Sequence, residues 1–334
     1  MINKTKVNIL FTSAGRRVAL IRAFKNAYKT LGLNGTIVAT DIDPLAPALQ
    51  IVDQPYLVSR CDSQDYIPQL VKICQRESID LIFPLIDPDI YILALNRAFL
   101  ESTRAKVVVI PLESVEKTVD KWSTYQFFRE IGIPTPQSWL PSQLPGDLSF
   151  PLFIKPRQGS ASKGTFKVNN KKELDFFLSY IPKPIIQEYL PGPEITSDVI
   201  CDFNGRILGV VSRQRREVRW GEVSKGVTVY HKKIVEFCIK IAQKLSAIGP
   251  LTIQCILKGE QPYFTEINAR FGGGAPLGIA AGADYPKWLL AQFISREIDI
   301  PPLGTYQVGL YLTRYDEAFF LNEEQYAKMA SCHL

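Results

Sequence analysis

The sequence predicts two kinds of fold in succession: an α/β region with a doubly wound parallel sheet, and then an α+β region rich in antiparallel strands. Over the first third of the chain, continuous apolar strands alternate with amphipathic helices, which is typical of a parallel sheet covered on both faces. A proline-rich, linker-like stretch follows at residues 132–145. After Glu194, apolar runs meet across the Asn204-Gly205 turn, which indicates antiparallel hairpins.

The first third carries the clearest periodicity. Strands are predicted at residues 7–12, 36–40, 79–84 and 106–110, and helices at about 17–31 and 64–75. In the first helix, Leu20, Phe24, Ala27 and Leu31 share one face, and the glycine-rich stretch 32–35 ends it.

Shorter elements are predicted after residue 111. A long helix at 113–131 comes first, followed by strands at 150–156, 164–168 and 184–189 and a helix at 171–180. Antiparallel strands at 195–202 and 206–218, a helix at about 232–248 and a hairpin of strands at 251–257 and 263–269 come next. The tail is predicted to hold a strand at 306–312 and a short helix at 325–330.

Composition restricts the class of protein. The chain has 334 residues, 46% hydrophobic and 22% charged, so it is long and apolar enough to fold as about two domains. We expect no membrane span, because no window approaches about 18 unbroken apolar residues, and no signal peptide. The six cysteines form no CxxC pair, which argues against zinc and disulfides and predicts a cytoplasmic protein. Because the chain has only two histidines, we do not expect a His-rich metal site or a Ser-His-Asp triad.

The charge balance is mildly basic. Lysine and arginine number 39 and aspartate and glutamate 33, which gives a net charge of +6 without a block of five like charges. We therefore expect no nucleic-acid partner. The densest basic stretch contains Arg213, Arg215, Arg216 and Arg219, and it is either a solvated face or a cationic ligand pocket.

The turn after the first strand reads Ser13-Ala-Gly-Arg-Arg17. A dinucleotide-binding turn has three glycines where this one has a single glycine, so NAD binding is disfavoured despite the acid at Asp41. Arg16 and Arg17 would begin a helix at the carboxyl edge of the sheet. They are either ligands for an anionic substrate group or surface arginines.

The hairpin at 251–269 carries polar side chains in an unusual place. Strand alternation puts Glu266, Asn268 and Arg270 on one face and points Thr265 and Ile267 the other way. Asparagine within a strand is disfavoured by propensity, which favours a functional interpretation over an exposed polar face.

The partner strand adds a further oxygen donor. A turn centred on Glu260 places Gln254 opposite Glu266. One carboxylate and two amide side chains at one spot suit Mg²⁺, which binds few protein groups and relies on substrate phosphates.

Two earlier segments suit a nucleotide. Lys155 ends an apolar strand before the glycine- and serine-rich loop 159–164, whose N–H groups could cradle phosphates, although a plain hairpin turn would look similar. In the segment 185–194, an exposed backbone edge could pair with an adenine rim and the acid Glu194 could hold a ribose diol. In isolation, a plain loop with surface acids is the favoured interpretation of this segment.

Together, in order, spacing and residue type, these segments resemble the ATP-grasp superfamily, in particular the branch similar to the large chain of carbamoyl-phosphate synthase. The resemblance covers about residues 113–300, and Asp120-Lys121-Trp122 looks like the family's first nucleotide-contacting helix. It implies a pre-ATP-grasp Rossmann-like domain at 1–112, a two-lobed ATP-grasp domain at 113–303 with its lid at about 113–190, and a tail at 304–334.

The resemblance also implies roles for particular residues. Those implied to bind ATP are Lys121, Lys155, Gly159, Ser160, Ser162, Gln187, Glu188, Leu190 and Glu194. Those implied to ligate Mg²⁺, or Mn²⁺ in its place, are Gln254, Glu266 and Asn268. The lysines would contact phosphates, Glu194 the ribose, and Arg270 the γ-phosphate, so Lys155 and Arg270 count as catalytic. We add Arg213 or Arg215 as a hypothesis for holding a substrate carboxylate.

The implied activity is an ATP-dependent ligase that converts a small carboxylate into an acylphosphate and couples it to an amine or ammonia. The glycine-rich stretch 271–282 would wall the acceptor pocket, or else is only a turn and helix start. The alternatives are a kinase or carboxylating enzyme acting on a small acid or bicarbonate, and a nucleotide-binding regulatory module without catalysis. The resemblance further suggests a homodimer, and we expect no membrane partner. Only one set of motifs is present, so the chain is not a whole carbamoyl-phosphate synthase.

Overall fold

The amino-terminal region is built on a five-stranded parallel sheet. The computed structural model describes residues 5–159, 163–219 and 221–333. The strands of this sheet are β1 (Ile9–Thr12), β2 (Ile37–Asp41), β3 (Gln54–Leu57), β4 (Leu81–Pro84) and β5 (Lys106–Val107). Their order is β3-β2-β1-β4-β5, so the order reverses between β1 and β4. The helices are α1 (Val18–Leu31), α2 (Tyr66–Arg76), α3 (Asp87–Leu95), α4 (Arg97–Glu101), α5 (Leu112–Val115) and α6 (Lys121–Glu130).

The predicted parallel sheet is confirmed, and the strand β3 and the helices α3 and α4 lie outside the predicted elements. β3 is a four-residue strand that contains Pro55, so it shows no apolar run. α3 has apolar residues on all sides and therefore lacks the stripe by which an amphipathic helix is recognised.

The single helix predicted at 113–131 is wrong. The segment forms two helices, α5 and α6, with residues 116–120 between them. Asp120 has an extended backbone, and its carboxylate accepts hydrogen bonds from the N–H groups of Trp122 (2.8 Å) and Ser123 (3.3 Å). An aspartate in this role starts a new helix, because it satisfies N–H groups that have no partner in the first turn.

A small antiparallel sheet follows. Its elements are β6 (Ser138–Trp139), β7 (Leu152–Pro156), β8 (Phe166–Val168), α7 (Lys171–Tyr180) and β9 (Pro184–Glu188), and its strand order is β6-β9-β7-β8. It has its own apolar cluster, which includes Leu152, Ile154 and Ile186. The strand ends at Lys155 and Glu188 therefore rest on an independently packed layer.

The third sheet is antiparallel and has six strands. Its strands are β10 (Glu194–Cys201), β11 (Ile207–Arg219), β12 (Glu222–Val229), β13 (Gly249–Lys258), β14 (Gln261–Asn268) and β15 (Tyr311–Thr313), in the order β14-β13-β10-β11-β12-β15. The remaining helices are α8 (Lys232–Lys244), α9 (Ala275–Ala280), α10 (Tyr285–Phe293) and α11 (Glu323–Ala330). β12 lies outside the predicted strands, and the tail strand β15 is shorter than predicted.

The predicted pairing of Gln254 with Glu266 is confirmed by the register of β13 and β14. A β-bulge between Gln254 and Cys255 adds one residue, Thr265, to the opposite strand. The bulge breaks strict alternation, so Thr265 lines the same cavity as Glu266, which corrects the prediction that it points away. Ile267 is buried in the core as predicted.

Aromatic packing fixes the first sheet against the end of the β13–β14 hairpin. Phe271, which follows β14, lies 5.9 Å from Phe24 and 5.8 Å from Phe83 between ring centroids. Phe11 packs against both Phe24 (5.0 Å) and Phe83 (5.7 Å). All four rings are fully or almost fully buried. This contact brings the loop after β4 next to the residues after β14.

Two further observations bear on the environment of the protein. Within the described residues, no helix combines the length and apolar character that a bilayer crossing requires. All six cysteines are free thiols.

Candidate active site

A cavity of about 330 Å³, the lysine cavity, lies between the four-stranded sheet and the β13–β14 hairpin. Its lining includes most of the residues singled out from the sequence, namely Lys121, Lys155, Gly159, Gln187, Glu188, Leu190, Glu194, Gln254, Glu266, Asn268 and Arg270. Ser160 and Ser162 lie outside the described residues. Motifs separated by up to 149 positions along the chain are thus brought to one place.

Lys155 is the buried cation of the lysine cavity. It lies near the end of β7, pairs with Ile185 of β9, and is 7% exposed. Burial lowers the pKa of its ammonium group to about 8; Glu266 opposes this shift, whereas Lys121 reinforces it. An anionic ligand in this cavity would offset the cost of keeping the ammonium charged.

Lys121 is tied to the loop that follows Lys155. Its Nζ donates a hydrogen bond to the Gly159 carbonyl at 2.7 Å, and its backbone N–H donates to Arg157. Arg157 in turn forms an ion pair with Asp120 at 2.9 Å. The start of α6 and the loop 157–159 therefore form one connected corner of the cavity.

The opposite wall is formed by β9 and the turn after it. Gln187 is buried and donates from Nε2 to Ser138 Oγ at 2.8 Å, and the Glu188 N–H donates to the Gln137 carbonyl. At Gly192 (φ +154°) a Cβ atom would collide with the Leu257 carbonyl, so only glycine allows this turn to rest on β13. Glu194 follows and is ion-paired with Arg215.

The hairpin supplies oxygen donors for a divalent cation. Gln254 and Glu266 face each other across the strands, and Asn268 is two residues further along. One carboxylate and two amide oxygens fit a hard cation whose remaining ligands are phosphate oxygens and water. The described residues contain no cluster of three or more His, Cys, Asp or Glu side chains with ligand geometry. With a single charged ligand, the donor set of the hairpin fits Mg²⁺ accompanied by a nucleotide.

A second, smaller cavity of about 190 Å³ adjoins the first, and we call it the inner cavity. The two cavities share Arg215, Gly221, Gln254, Asn268 and Arg270 as lining residues. Four arginines line the inner cavity, and each is paired with a carboxylate. The pairs are Arg17–Glu222 (3.0 Å), Arg213–Asp198 (Nη2–Oδ1, 3.0 Å), Arg215–Glu194 and Arg270–Asp87 (2.7 Å).

Arg213 is buried and ion-paired, which the sequence did not indicate. Its side chain is 2% exposed, and both Nη atoms donate to Asp198. Among the described residues, its Nε has no hydrogen-bond partner. Arg213 thus forms part of the wall of the inner cavity, whereas Arg215 lines both cavities.

Three glycines after β14, Gly272, Gly273 and Gly274, line the inner cavity. A Cβ atom at Gly274 would collide with Arg213 Nε, and one at Gly273 would come within 2.8 Å of Arg17 Nη1. Close approach of these arginines to the backbone therefore requires glycine.

Sequence reasoning missed Asp87 and Thr196, and left Arg17 undecided. All three line the inner cavity. Asp87 had a usable signal, since an acid just after a buried parallel strand lies at the edge where such sheets bind ligands. Thr196 gave none, because it lies inside β10 among ordinary strand residues. Asp41, by contrast, accepts hydrogen bonds from the N–H groups of Gly15 (2.7 Å) and Ile42 (2.8 Å), so it connects the turn after β1 to the turn after β2.

Comparison with known families agrees with this geometry. Residues 118–274 match the sequence model of the ATP-grasp domain. These residues therefore form an ATP-grasp domain. Residues 9–108 match the PylC-like N-terminal domain.

Known proteins with similar sequence or structure include ligases. The chain is 32% identical over 170 residues to a D-alanine–D-alanine ligase of Fusobacterium nucleatum. The match covers 46% of this chain and 57% of the ligase, so the chain spans less than two thirds of this curated relative. The ADP complex of N5-carboxyaminoimidazole synthetase from Staphylococcus aureus is similar in fold, with a TM-score of 0.71, 17% identity and coverage of 92% of this chain and 82% of that one. An L-amino acid ligase from Bacillus licheniformis is similar in fold, with a TM-score of 0.67 and 18% identity. The match covers 86% of this chain and 74% of that one.

Proposed function

We propose that the protein is an ATP-dependent ligase that activates a small carboxylate as an acylphosphate and couples it to an amine or ammonia. The observation that carries the proposal is the junction of the two cavities at Arg215 and Arg270. A nucleotide in the lysine cavity, with its phosphates at Lys155 and Glu266, would direct its terminal phosphate toward the arginine-lined inner cavity. That arrangement suits phosphoryl transfer to an anionic acceptor.

In the proposed complex, the residues of the lysine cavity hold the nucleotide. Lys121 and Lys155 contact phosphates. The base is lined by Gln187, Glu188 and Leu190. Glu194 binds the ribose in place of its ion pair with Arg215. Mg²⁺, or Mn²⁺ in its place, would be held by Gln254, Glu266 and Asn268 and would neutralise phosphate charge. The loop residues Ser160 and Ser162 belong to the same proposal.

Two chemical steps follow. A carboxylate oxygen of the acid attacks the γ-phosphorus; the new O–P bond forms as the bond to the β-phosphate oxygen breaks, and ADP leaves. The amine nitrogen then attacks the acyl carbon, the C–O bond to phosphate breaks, and the phosphate leaves with the proton that nitrogen loses. Arg270 faces the transferring phosphoryl group, and Arg215 or Arg213 holds the acid.

Several finer assignments belong to the same proposal. Glutamine at position 254 supports the branch similar to carbamoyl-phosphate synthase. We also propose domain boundaries near residues 112 and 303, with the lid at about 113–190, a homodimer, and a cytoplasmic location. The D-alanine–D-alanine ligase supports ligase chemistry more directly than the structural matches do. Those matches are below 25% identity and support the fold alone.

The first test is nucleotide binding. A non-hydrolysable ATP analogue with Mg²⁺, at about 100 times its dissociation constant, adds about 2.7 kcal/mol of stability, which is several degrees of thermal shift. We expect this shift with wild-type protein, and we expect its loss in Lys155→Met, which keeps the volume of the side chain. A shift with NAD instead, or none at millimolar ATP, would refute the proposal.

The second test is the reaction. Carboxylic acids are screened for ADP release with hydroxylamine, a neutral nucleophile that converts an acylphosphate into a hydroxamate. Hydroxamate formation supports the ligase if, in addition, turnover without hydroxylamine requires an amine. Full ADP release without any nucleophile would support the alternative, a kinase or carboxylating enzyme.

A further inference from the structure

A third cavity, of about 370 Å³, lies on the far side of the inner cavity, and we call it the outer cavity. It is formed between the start of α1 and the segment 312–319. It shares Arg17, Glu222, Val223, Gly272 and Gly273 with the inner cavity as lining residues. The three cavities therefore adjoin one another in a row. Of the residues assigned above to the nucleotide or the metal, none that the structure describes lines the outer cavity.

The outer cavity carries an excess of positive charge. Five arginines line it, namely Arg16, Arg17, Arg22, Arg219 and Arg314, against the three acids Glu222, Asp316 and Glu317. A small molecule that enters this cavity is therefore favoured if it is an anion.

The excess is concentrated at the boundary with the inner cavity. Glu222 is shared by two arginines: its Oε1 lies 3.0 Å from Arg17 Nη1 and its Oε2 lies 2.8 Å from Arg314 Nη1. Two guanidinium groups on one carboxylate leave one positive charge unbalanced. Burial and the neighbouring cations Arg270 and Arg314 lower the pKa of Arg17 to about 10, while Glu222 opposes this shift. A second carboxylate at this point would balance the charge.

Hydrogen-bonding capacity is also unused in the adjoining inner cavity. Within the part of the chain that the structure describes, Arg213 Nε, Arg270 Nε and Thr196 Oγ1 make no hydrogen bond. Thr196 is 3% exposed and lines the inner cavity. Buried polar groups without partners are costly, so a polar ligand that reaches both cavities would gain these interactions.

We propose that the outer cavity binds the second substrate of the ligase, and that this substrate is an amine that carries a carboxylate. This inference rests on the proposed function. The carboxylate lies against Arg17 and Arg314, and the amine passes Gly272 and Gly273 to reach the acylphosphate in the inner cavity. The bonds made and broken are those of the second chemical step above.

The test is a calorimetric titration of the full chain with MgADP present. The probes are the twenty common amino acids, each compared with the amine that lacks its α-carboxylate, such as alanine with ethylamine and lysine with 1,5-diaminopentane. We expect at least one amino acid to bind, and its decarboxylated counterpart to bind at least tenfold more weakly. β-Alanine against 2-aminoethylphosphonate distinguishes a carboxylate site from a phosphonate site, and we expect the carboxylate to bind more tightly.

Two variants are expected to shift the affinity in opposite directions. Arg314→Gln removes a cation and should weaken binding of that amino acid at least tenfold. Glu222→Gln removes the competing carboxylate and should tighten it severalfold. A loss of structure alone would not produce this opposite pair. Arg22→Gln is the matched control, because Arg22 lines the same cavity but pairs with Glu317 at its exposed rim, and it should leave the affinity within twofold.

The proposal is overturned if no amino acid binds, if the decarboxylated amine binds equally well, or if Glu222→Gln does not tighten binding. Where Arg314→Gln does not fold, the Glu222→Gln result decides. Failure of this amine-site proposal can be distinguished from failure of the proposed ligase function. Hydroxamate formation without discrimination for a carboxylate on the amine refutes this inference alone, whereas absence of MgADP binding refutes the nucleotide site.

Discussion

The lysine cavity and the inner cavity share a wall and differ in how the chain builds them. The lysine cavity is assembled from short motifs: Lys155 with its loop, the segment 187–194, and the β13–β14 hairpin. The inner cavity takes single residues from distant elements, such as Arg17 before α1, Asp87 at the start of α3 and Arg213 in β11. The first can be recognised by local pattern, while the second exists only after the sheets have packed.

The two cavities also differ in how their charge is balanced. Lys155 is buried with a lowered pKa, so it is a cation that benefits from an incoming anion. The inner arginines already hold carboxylates from the chain itself. A ligand of the inner cavity must therefore compete with, or add to, existing ion pairs. Variants in the two cavities should accordingly fail in different ways.

The largest effect is expected at Arg213. Its replacement by Met leaves Asp198, which is 1% exposed, without its cation, and the cost should be about 3–5 kcal/mol of unfolding free energy. Urea denaturation measures it, with Arg215→Met as the control whose partner Glu194 is 39% exposed. MgADP affinity should survive in the folded fraction. Equal stability of Arg213→Met and wild type would show that the pair is not held as described.

Glu266 should show the next largest effect, and in the lysine cavity. It is the one carboxylate among the three metal-type donors, so Glu266→Gln should lower Mg²⁺-dependent ADP release by about 100-fold while unfolding free energy changes little. Its neighbour Thr265 lines the same cavity without a charge, and Thr265→Val should stay within a few-fold of wild type. Comparable losses in both variants would argue against a metal role.

The pH dependence of nucleotide binding tests Lys155. Its ammonium group attracts phosphate only while protonated, so MgADP affinity should be highest below pH 8 and fall as the pH rises through about 8. Lys155→Met should bind about 10- to 100-fold more weakly at pH 7 and lack this pH step. Calorimetry over pH 6.5–9.5 measures both. A step that persists in Lys155→Met belongs to another group.

The smallest effect is expected for the pair Asp87–Arg270. Both side chains are partly exposed, at 27% and 14%, so a double-mutant cycle with Asp87→Asn and Arg270→Gln should give a coupling of about 1 kcal/mol. The equivalent cycle at Asp198 and Arg213 should give a coupling several times larger. If the two couplings are similar, burial is not what distinguishes the arginine pairs.

The sequence predicted the fold class and the pairing of Gln254 with Glu266 for a physical reason, whereas the other residues of the lysine cavity were grouped by the family resemblance. Strand alternation and turn position alone place Gln254 opposite Glu266, and both are local properties. It could not predict the bulge at Thr265 from alternation, or the interruption at Asp120, where one capping side chain overrides a continuous helical pattern. The ion pair of Asp87 with Arg270 was also out of reach, because it joins positions 183 residues apart through the packing of Phe271 on Phe83.

The segment 312–319 has a consequence for how such proteins diverge. It forms one side of the outer cavity and contributes Arg314, yet it lies beyond both family-matched regions, 9–108 and 118–274. Insertions and substitutions there leave Lys155, Glu266 and Asn268 untouched. Under the proposed function, substitutions in this segment would therefore change which amine fits the outer cavity while leaving the residues proposed to bind the nucleotide untouched.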